Sequence, residues 1–304
     1  MEPKKRKKPK EHLFHFMEET SRKLRDTGKA RTSETYHAAL VSFARFRNGK
    51  DITFEEIDEE VVAAYESSLK ESGLSPNTTS FYMRILRATY NRAVNLGLAR
   101  EAKPFRNVYT GVARTRKRGI DMAAMKRLAD LDLDEGRTPA LARDMFMFSF
   151  YTRGMSFVDM AYLKKKDLNR GVLTYRRRKT GQLMYIRWEK CMEGIASKYE
   201  NPGSPYILPI IRQPYTDERK QYIRMSHKIN RSLKSLGRKA GIDTPLTMYV
   251  ARHTWACAAR KSNIPLSVIS EGMGHTSEMT TRIYLSALDA DIIDNANRKI
   301  IKLL

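Results

Sequence analysis

The sequence predicts a mostly α-helical protein in two domains, with a small β-hairpin or sheet set into the second. Three observations carry that expectation. Between residues 11 and 97, apolar residues recur at helical spacing, punctuated by Gly73, the Ser75-Pro76 pair and Gly97. Residues 98–120 are polar, contain Pro104 and Gly111, and read as a linker. Residues 172–187 alternate like two strands about a turn. A length of 304 residues suits two domains, and an apolar fraction of 41% is enough to build cores.

Each element follows from local pattern. Leu13, Phe16, Met17 and Leu24 begin an amphipathic helix. Ser33 is a candidate N-cap for a second, in which Tyr36, Leu40, Phe43 and Phe46 share a face. Val62, Tyr65 and Leu69 mark a third, ended by Gly73. Ser75-Pro76 starts a fourth, with proline in its first turn and Tyr82, Leu86, Tyr90 and Ala93 along one side. Arg84, Arg87 and Arg92 lie on other faces. The linker ends in the basic cluster Arg114, Arg116, Lys117 and Arg118, and Asp121 is a candidate N-cap before Met125 and Leu128. The apolar run Met145–Phe150 reads as a buried helix or turn. VLTYRRR and LMYIRW are the two strands, with Thr180-Gly181 at the turn and Lys179 at the tip. MSHKINRSLKSLGRKAGI is expected to be helical, and residues 289–304 form an amphipathic end with Ile292, Ile293, Ala296, Ile300 and Ile301 on one stripe.

Charge narrows the function. Lys and Arg number 57 against 34 acidic residues, a net charge of +23. Such an excess points to a polyanion, most often nucleic acid, with a membrane surface as the competing partner. No apolar run approaches the roughly 18 residues that would suggest a membrane span, and the N-terminus has no apolar segment of the secretory type. Six of the first ten residues are basic, which suits a solvated tail, a DNA-contacting tail or an import signal. Cys191 and Cys257 show neither metal-ligand spacing nor a disulfide framework, as in a reducing cytoplasm. Cys257 reads as a small buried residue.

The chemistry concentrates between Tyr249 and Tyr284. Arg252 and His253 sit in ARHTWA, His275 follows glycine in GMGH, and Tyr284 comes nine residues after His275. These types suit attack on a phosphodiester. Arginine offers a planar fork of donors that stays charged. Histidine can donate a hydrogen bond or move a proton. A tyrosine hydroxyl, with a free pKa of about 10, needs cationic neighbours or a base to become a nucleophile. Taken singly, each has an ordinary reading: Tyr284 is one of fifteen tyrosines, His275 could cap a helix, and Arg252 could pair with a carboxylate.

Together, the Arg-His-Thr block, Gly-His and a tyrosine nine residues on resemble the C-terminal signature of the tyrosine recombinases, the phage-integrase family. The resemblance covers residues 11–304. It implies a helical core-binding domain that clamps DNA (11–105, after a basic tail at 1–10) and a mixed α/β catalytic domain (106–304). NTTSFYMRILRATYNRAV resembles the last helix of the first domain. A lysine on a hairpin reaches the minor groove and protonates the leaving 5′ oxygen in that family, which assigns the role to Lys179. Asp159, Leu163 and Asp167 match the family's first catalytic box.

Two positions depart from the pattern. The first box expects arginine where Ser156 stands, with Arg153 three residues earlier. An arginine one helical turn away, roughly 5 Å, could span the offset, and Gly154 could re-aim it. Arg153 is therefore expected to supply the second fork. Arg143 is the rival, with a salt bridge as its ordinary reading. A histidine usually stands three residues before the block's arginine, and here it is Tyr249. Tyrosine can donate to a phosphate oxygen or merely pack. His253 reads as structural.

The resemblance implies a site-specific recombinase that works through a 3′-phosphotyrosine. Tyr284 is its nucleophile, Arg153, Arg252 and His275 stabilise charge, Lys179 is the general acid, and Tyr249 is a possible phosphate contact. It further implies no cofactor or metal, double-stranded DNA as partner, a homo-tetramer on two DNA sites, and a cytoplasmic, nucleoid-associated setting. An accessory DNA-bending protein is left open. The short stretch before the first helix favours a simple recombinase or DNA invertase over an integrase with an arm-binding domain. A type IB topoisomerase-like relaxing enzyme and a DNA-binding paralogue that no longer cuts are the alternatives.

Overall fold

The structure, a computed structural model, describes residues 12–113, 119–285 and 301, with Ile283 and Tyr284 described in their backbone only. The basic tail, the Arg114–Arg118 cluster and the stripe after Tyr284 lie outside these residues, Ile301 excepted. Two compact units divide the chain, Met1–Thr115 and Arg116–Leu304. The division falls ten residues beyond the 105/106 boundary expected from sequence. The intervening segment is held by the first unit: Tyr109 N donates to Glu66 Oε1 at 3.0 Å, Ser80 Oγ to Gly111 O at 2.5 Å, and Ala113 N to Asn77 Oδ1 at 2.8 Å.

In the first unit α1 (Leu13–Asp26), α2 (Ala30–Phe46), α3 (Glu59–Glu71) and α4 (Pro76–Asn95) surround an aromatic core. Phe43 meets Tyr65 edge-on at 4.9 Å between ring centroids, and the Tyr65 hydroxyl donates to Ser42 Oγ at 2.7 Å. Asp58 and Ser75 cap α3 and α4, accepting from Val61 N and Thr78 N. Such caps are each worth about 1 kcal/mol. Ser33 is not a cap. The helix begins at Ala30, and Ser33 is buried inside it, donating to Ser21 O at 2.7 Å with the two hydroxyls 2.9 Å apart. The serine joins α1 to α2 instead of satisfying a helix end.

The second unit is built on α6 (Thr138–Tyr151). Its residues Ala140, Leu141, Ala142 and Met145–Phe148 are all buried, so the helix is apolar on most of its circumference, as expected of a central helix. Against it pack α8 (Lys190–Lys198), α9 (Glu218–Lys239) and α10 (Met248–Lys261), with α5 (Met122–Ala129) alongside. Asp121 caps α5 by accepting from Ala124 N at 2.7 Å. The sheet has three antiparallel strands: β1 (Leu168–Asn169), β2 (Val172–Arg176) and β3 (Leu183–Arg187). Leu173 pairs with Ile186 and Tyr175 with Met184 on the buried face. The short helices α7 (Phe157–Ala161), α11 (Leu266–Gly272) and α12 (Glu278–Leu285) complete the unit. Among the described residues no helix is long and apolar enough to cross a membrane.

Candidate active site

Arg252 lies in the second turn of α10, almost fully buried, and joins two loops to its own helix. Nη1 donates to Gly154 O at 2.8 Å, beyond the end of α6. Nη2 donates to Met273 O at 2.7 Å and to His275 Nε2 at 3.0 Å, both beyond the end of α11. The approach requires a glycine. Gly154 has φ +73°, and a Cβ there would stand 2.7 Å from Arg252 Cα.

His275 is held from both sides. Nε2 faces Arg252, and Nδ1 lies 2.7 Å from Thr281 Oγ1 on α12. Burial, and then the positive charge of Arg252, Arg177 and Lys179, pushes its pKa down to about 4. The imidazole is therefore neutral at physiological pH.

A cleft of about 570 Å³ opens here, lined among others by Ser156, Arg177, Lys179, Tyr249, Arg252 and His275. Lys179 is exposed in the turn between β2 and β3. Tyr249, in the first turn of α10, is 55% exposed and stacks its ring edge-on with His253 at 4.6 Å. His253 itself is buried within α10. The backbone of Tyr284 lies on α12, three residues after Thr281.

Arg153 does not line this cleft. Helix α6 ends at Tyr151, so Arg153 and Ser156 are not one helical turn apart, and the 5 Å offset expected of a helix does not apply. Arg153 takes a left-handed conformation, φ +61°, and its Cδ lies 3.7 Å from where a Cβ on Gly272 would be. Arg143 makes an ion pair with Asp144 at 3.0 Å and donates to Leu131 O at 2.8 Å, which is its ordinary structural role.

The arginine that does reach the cleft beside Arg252 is Arg177, a residue sequence reasoning passed over. It follows β2 directly and is 6% exposed. Nη1 donates to Gly274 O, and Nε lies 3.9 Å from Asp159 Oδ2. Asp159 is buried on α7, accepting from Ser156 Oγ at 2.6 Å and from Arg178 N at 2.8 Å. Ser156 therefore caps α7 and holds the carboxylate that faces Arg177. The signal was present in the alternation of β2. Leu173 and Tyr175 face inward, and the next residue in phase is Arg177. An inward arginine at a strand end needs anionic partners, which makes it a candidate site residue.

Comparison with known proteins decides the family. The phage integrase family model matches residues 131–291, and the phage integrase SAM-like domain matches residues 12–108. The chain belongs to the phage integrase family. It is thus a tyrosine recombinase, an enzyme that cuts and rejoins DNA in site-specific recombination. Tyrosine recombinase XerA of Pyrococcus furiosus is 26% identical over 72% of this chain and 72% of its own length. Tyrosine recombinase XerC of Shewanella oneidensis is 26% identical over 76% of each. In fold, this recombinase is similar to a lambda integrase tetramer bound to a Holliday junction, with TM-score 0.69, 15% identity, and 90% of this chain and 77% of that one covered. It is also similar to the Tn1549 transposon integrase in complex with transposon right end DNA, with TM-score 0.67, 14% identity, and 94% and 100% covered. At these identities the structural likeness speaks to the fold. Among the described residues of this recombinase no three His, Cys, Asp or Glu side chains group to hold a metal ion.

Proposed function

We propose that this recombinase binds double-stranded DNA and cleaves it with Tyr284 as nucleophile, using Arg252 and Arg177 as the two cationic forks. The observation that carries this is the convergence of Arg177, Arg252, His275 and Lys179 on one cleft, with His275 hydrogen-bonded to the helix that bears Tyr284. A phosphodiester in the cleft meets two guanidinium groups, Arg177 bound to Gly274 O and Arg252 bound to Met273 O and His275 Nε2. Paired forks suit the two non-bridging oxygens, whose charge grows in the pentavalent state. Arg177 stands in for the arginine that Ser156 does not supply. Tyr284 attacks phosphorus and forms a 3′-phosphotyrosine, and Lys179 gives a proton to the departing 5′ oxygen. A 5′ hydroxyl from a partner strand then attacks in reverse. The bond energy is kept in the phosphotyrosine, so no nucleotide hydrolysis is needed. Tyr249 contacts the phosphate through its hydroxyl.

A homo-tetramer on two DNA sites is the assembly that strand exchange requires, and the enzyme works at the nucleoid. The solved neighbours include an integrase tetramer on a Holliday junction, which supports this assembly. A suicide duplex that loses its 5′ hydroxyl fragment after cleavage tests the reading. The parent protein should accumulate as a covalent protein–DNA adduct, and Tyr284→Phe should bind the duplex but form none. An adduct with the phenylalanine variant would assign the nucleophile elsewhere. Exchange between two duplexes separates recombination from mere relaxation.

A further inference from the structure

Thr281 has no part in the mechanism above, yet its side chain is fully buried and lies 2.7 Å from His275 Nδ1. The direction of that bond follows from the other side of the ring. Arginine has donors and no acceptor. Arg252 Nη2 sits 3.0 Å from His275 Nε2, so Nε2 must be the accepting nitrogen. A protonated Nε2 would set two donors against each other. The single ring proton therefore sits on Nδ1 and is donated to Thr281 Oγ1.

We propose that Thr281 is a positioning residue that locks His275 in its Nδ1–H tautomer and so makes Nε2 the proton acceptor for the Tyr284 hydroxyl. The proposal rests on the reading of Tyr284 as nucleophile. When a phosphate enters, it competes for the Arg252 donor that occupies Nε2 in the free protein, and the lone pair is released. The low pKa keeps the ring neutral until then, and the phosphate's negative charge offsets the three cations around it.

The step balances. The Tyr284 O–H bond breaks and its proton passes to Nε2 as the phenolic oxygen bonds to phosphorus. The bond from phosphorus to the 5′ oxygen breaks, and that oxygen takes a proton from Lys179. In the return step the incoming 5′ hydroxyl gives its proton to Lys179, and the tyrosine oxygen recovers its own from His275. The imidazolium formed between the two steps keeps its Nδ1–H on Thr281. Because Thr281 and Tyr284 are three residues apart on α12, the helix that carries the nucleophile also sets the tautomer of its base. A base assembled only when α12 is docked ties cleavage to the placement of that helix.

Long-range ¹H–¹⁵N correlation on the full-length labelled protein reads the tautomer without DNA, with His275→Gln to assign the ring. The parent should show a protonated Nδ1 and an unprotonated Nε2. Thr281→Ser should keep that pattern, and Thr281→Val should lose it. On the suicide duplex, Thr281→Val should form adduct at least about tenfold more slowly, part of the 10²–10⁴-fold a general base contributes, with duplex affinity unchanged and Thr281→Ser close to the parent. A parent ring protonated on Nε2 overturns the proposal by itself, even if the valine variant fails to fold. So does a valine variant that cleaves at the parent rate. If the tautomer is as expected but Tyr284→Phe still forms adduct, it is the nucleophile assignment that fails.

Discussion

Gly274 is pressed against Arg177. A Cβ on the glycine would stand 2.6 Å from Arg177 Cδ and 2.7 Å from Met184 Sδ, and its backbone is left-handed at φ +63°. Gly154 stands in the same relation to Arg252. Each guanidinium reaches the cleft past a glycine whose carbonyl it also binds. The two forks are thus positioned by backbone, which does not change rotamer, and the glycine before His275 is part of the arginine site.

Gly274→Ala tests that relation. The methyl group would have to displace Arg177 or Met184, and an L residue at this φ adds about 1 kcal/mol or more of strain. Cleavage should fall about 10²-fold, comparable to the loss of one charge-assisted contact in the transition state. Stability by urea denaturation should fall only modestly. An alanine variant with parental cleavage would mean that the fork does not depend on this contact.

Arg177→Ala and Arg153→Ala should behave very differently. Loss of Arg177 removes a donor pair from the cleft and should slow adduct formation by roughly 10²-fold or more, with duplex binding retained. Arg177→Lys keeps the charge without the fork and should restore little. Arg153→Ala should cleave near the parent rate, because its side chain lies beside Gly272 and outside the cleft. The reverse order of rates would return the second fork to Arg153.

His275 links the site to acid stability. Its pKa is about 4 in the folded chain against an ordinary 6.5. Between these values the unfolded chain binds a proton that the folded one does not. The contribution is therefore complete above pH 6.5 and is lost as the pH falls toward 4. Urea unfolding at pH 7 and pH 4.5 should show a larger loss for the parent than for His275→Gln. Equal losses would mean that the imidazole is not held neutral.

Chelation should leave cleavage intact. In the mechanism proposed, side chains supply all the charge that stabilises the phosphate, so excess EDTA should not change the rate of adduct formation. Duplex binding, in contrast, should weaken steeply with salt as phosphate contacts release counterions. Loss of cleavage in EDTA, restored by magnesium, would require a different electrophile.

Much of this molecule can be read along the chain. The periods of α1 to α4 and the caps at Ser75 and Asp121 follow from residues a few positions apart. So do the two strands about the Lys179 turn. The spacing of Arg252, His275 and Tyr284 belongs to the same class of signal and carries the family resemblance. Ser33 shows where such reading fails. A serine ahead of an apolar pattern looks like a cap, but burial against Ser21 gives its hydroxyl a partner twelve residues away. Nothing local distinguishes the two fates.

What the sequence determined by itself is the set of chemical groups: one nucleophile candidate, a histidine, a hairpin lysine and an excess of arginines. Only the tertiary structure decided which arginines share a cleft. Arg153 is the nearer to Ser156 in sequence, but the chain leaves α6 at Tyr151 and turns it toward Gly272. Arg177 is 21 residues beyond Ser156, yet it lies against Asp159 and Gly274. Sequence spacing measures distance along one element. Distance between elements is set by which apolar faces bury against each other, and that is a property of the whole core.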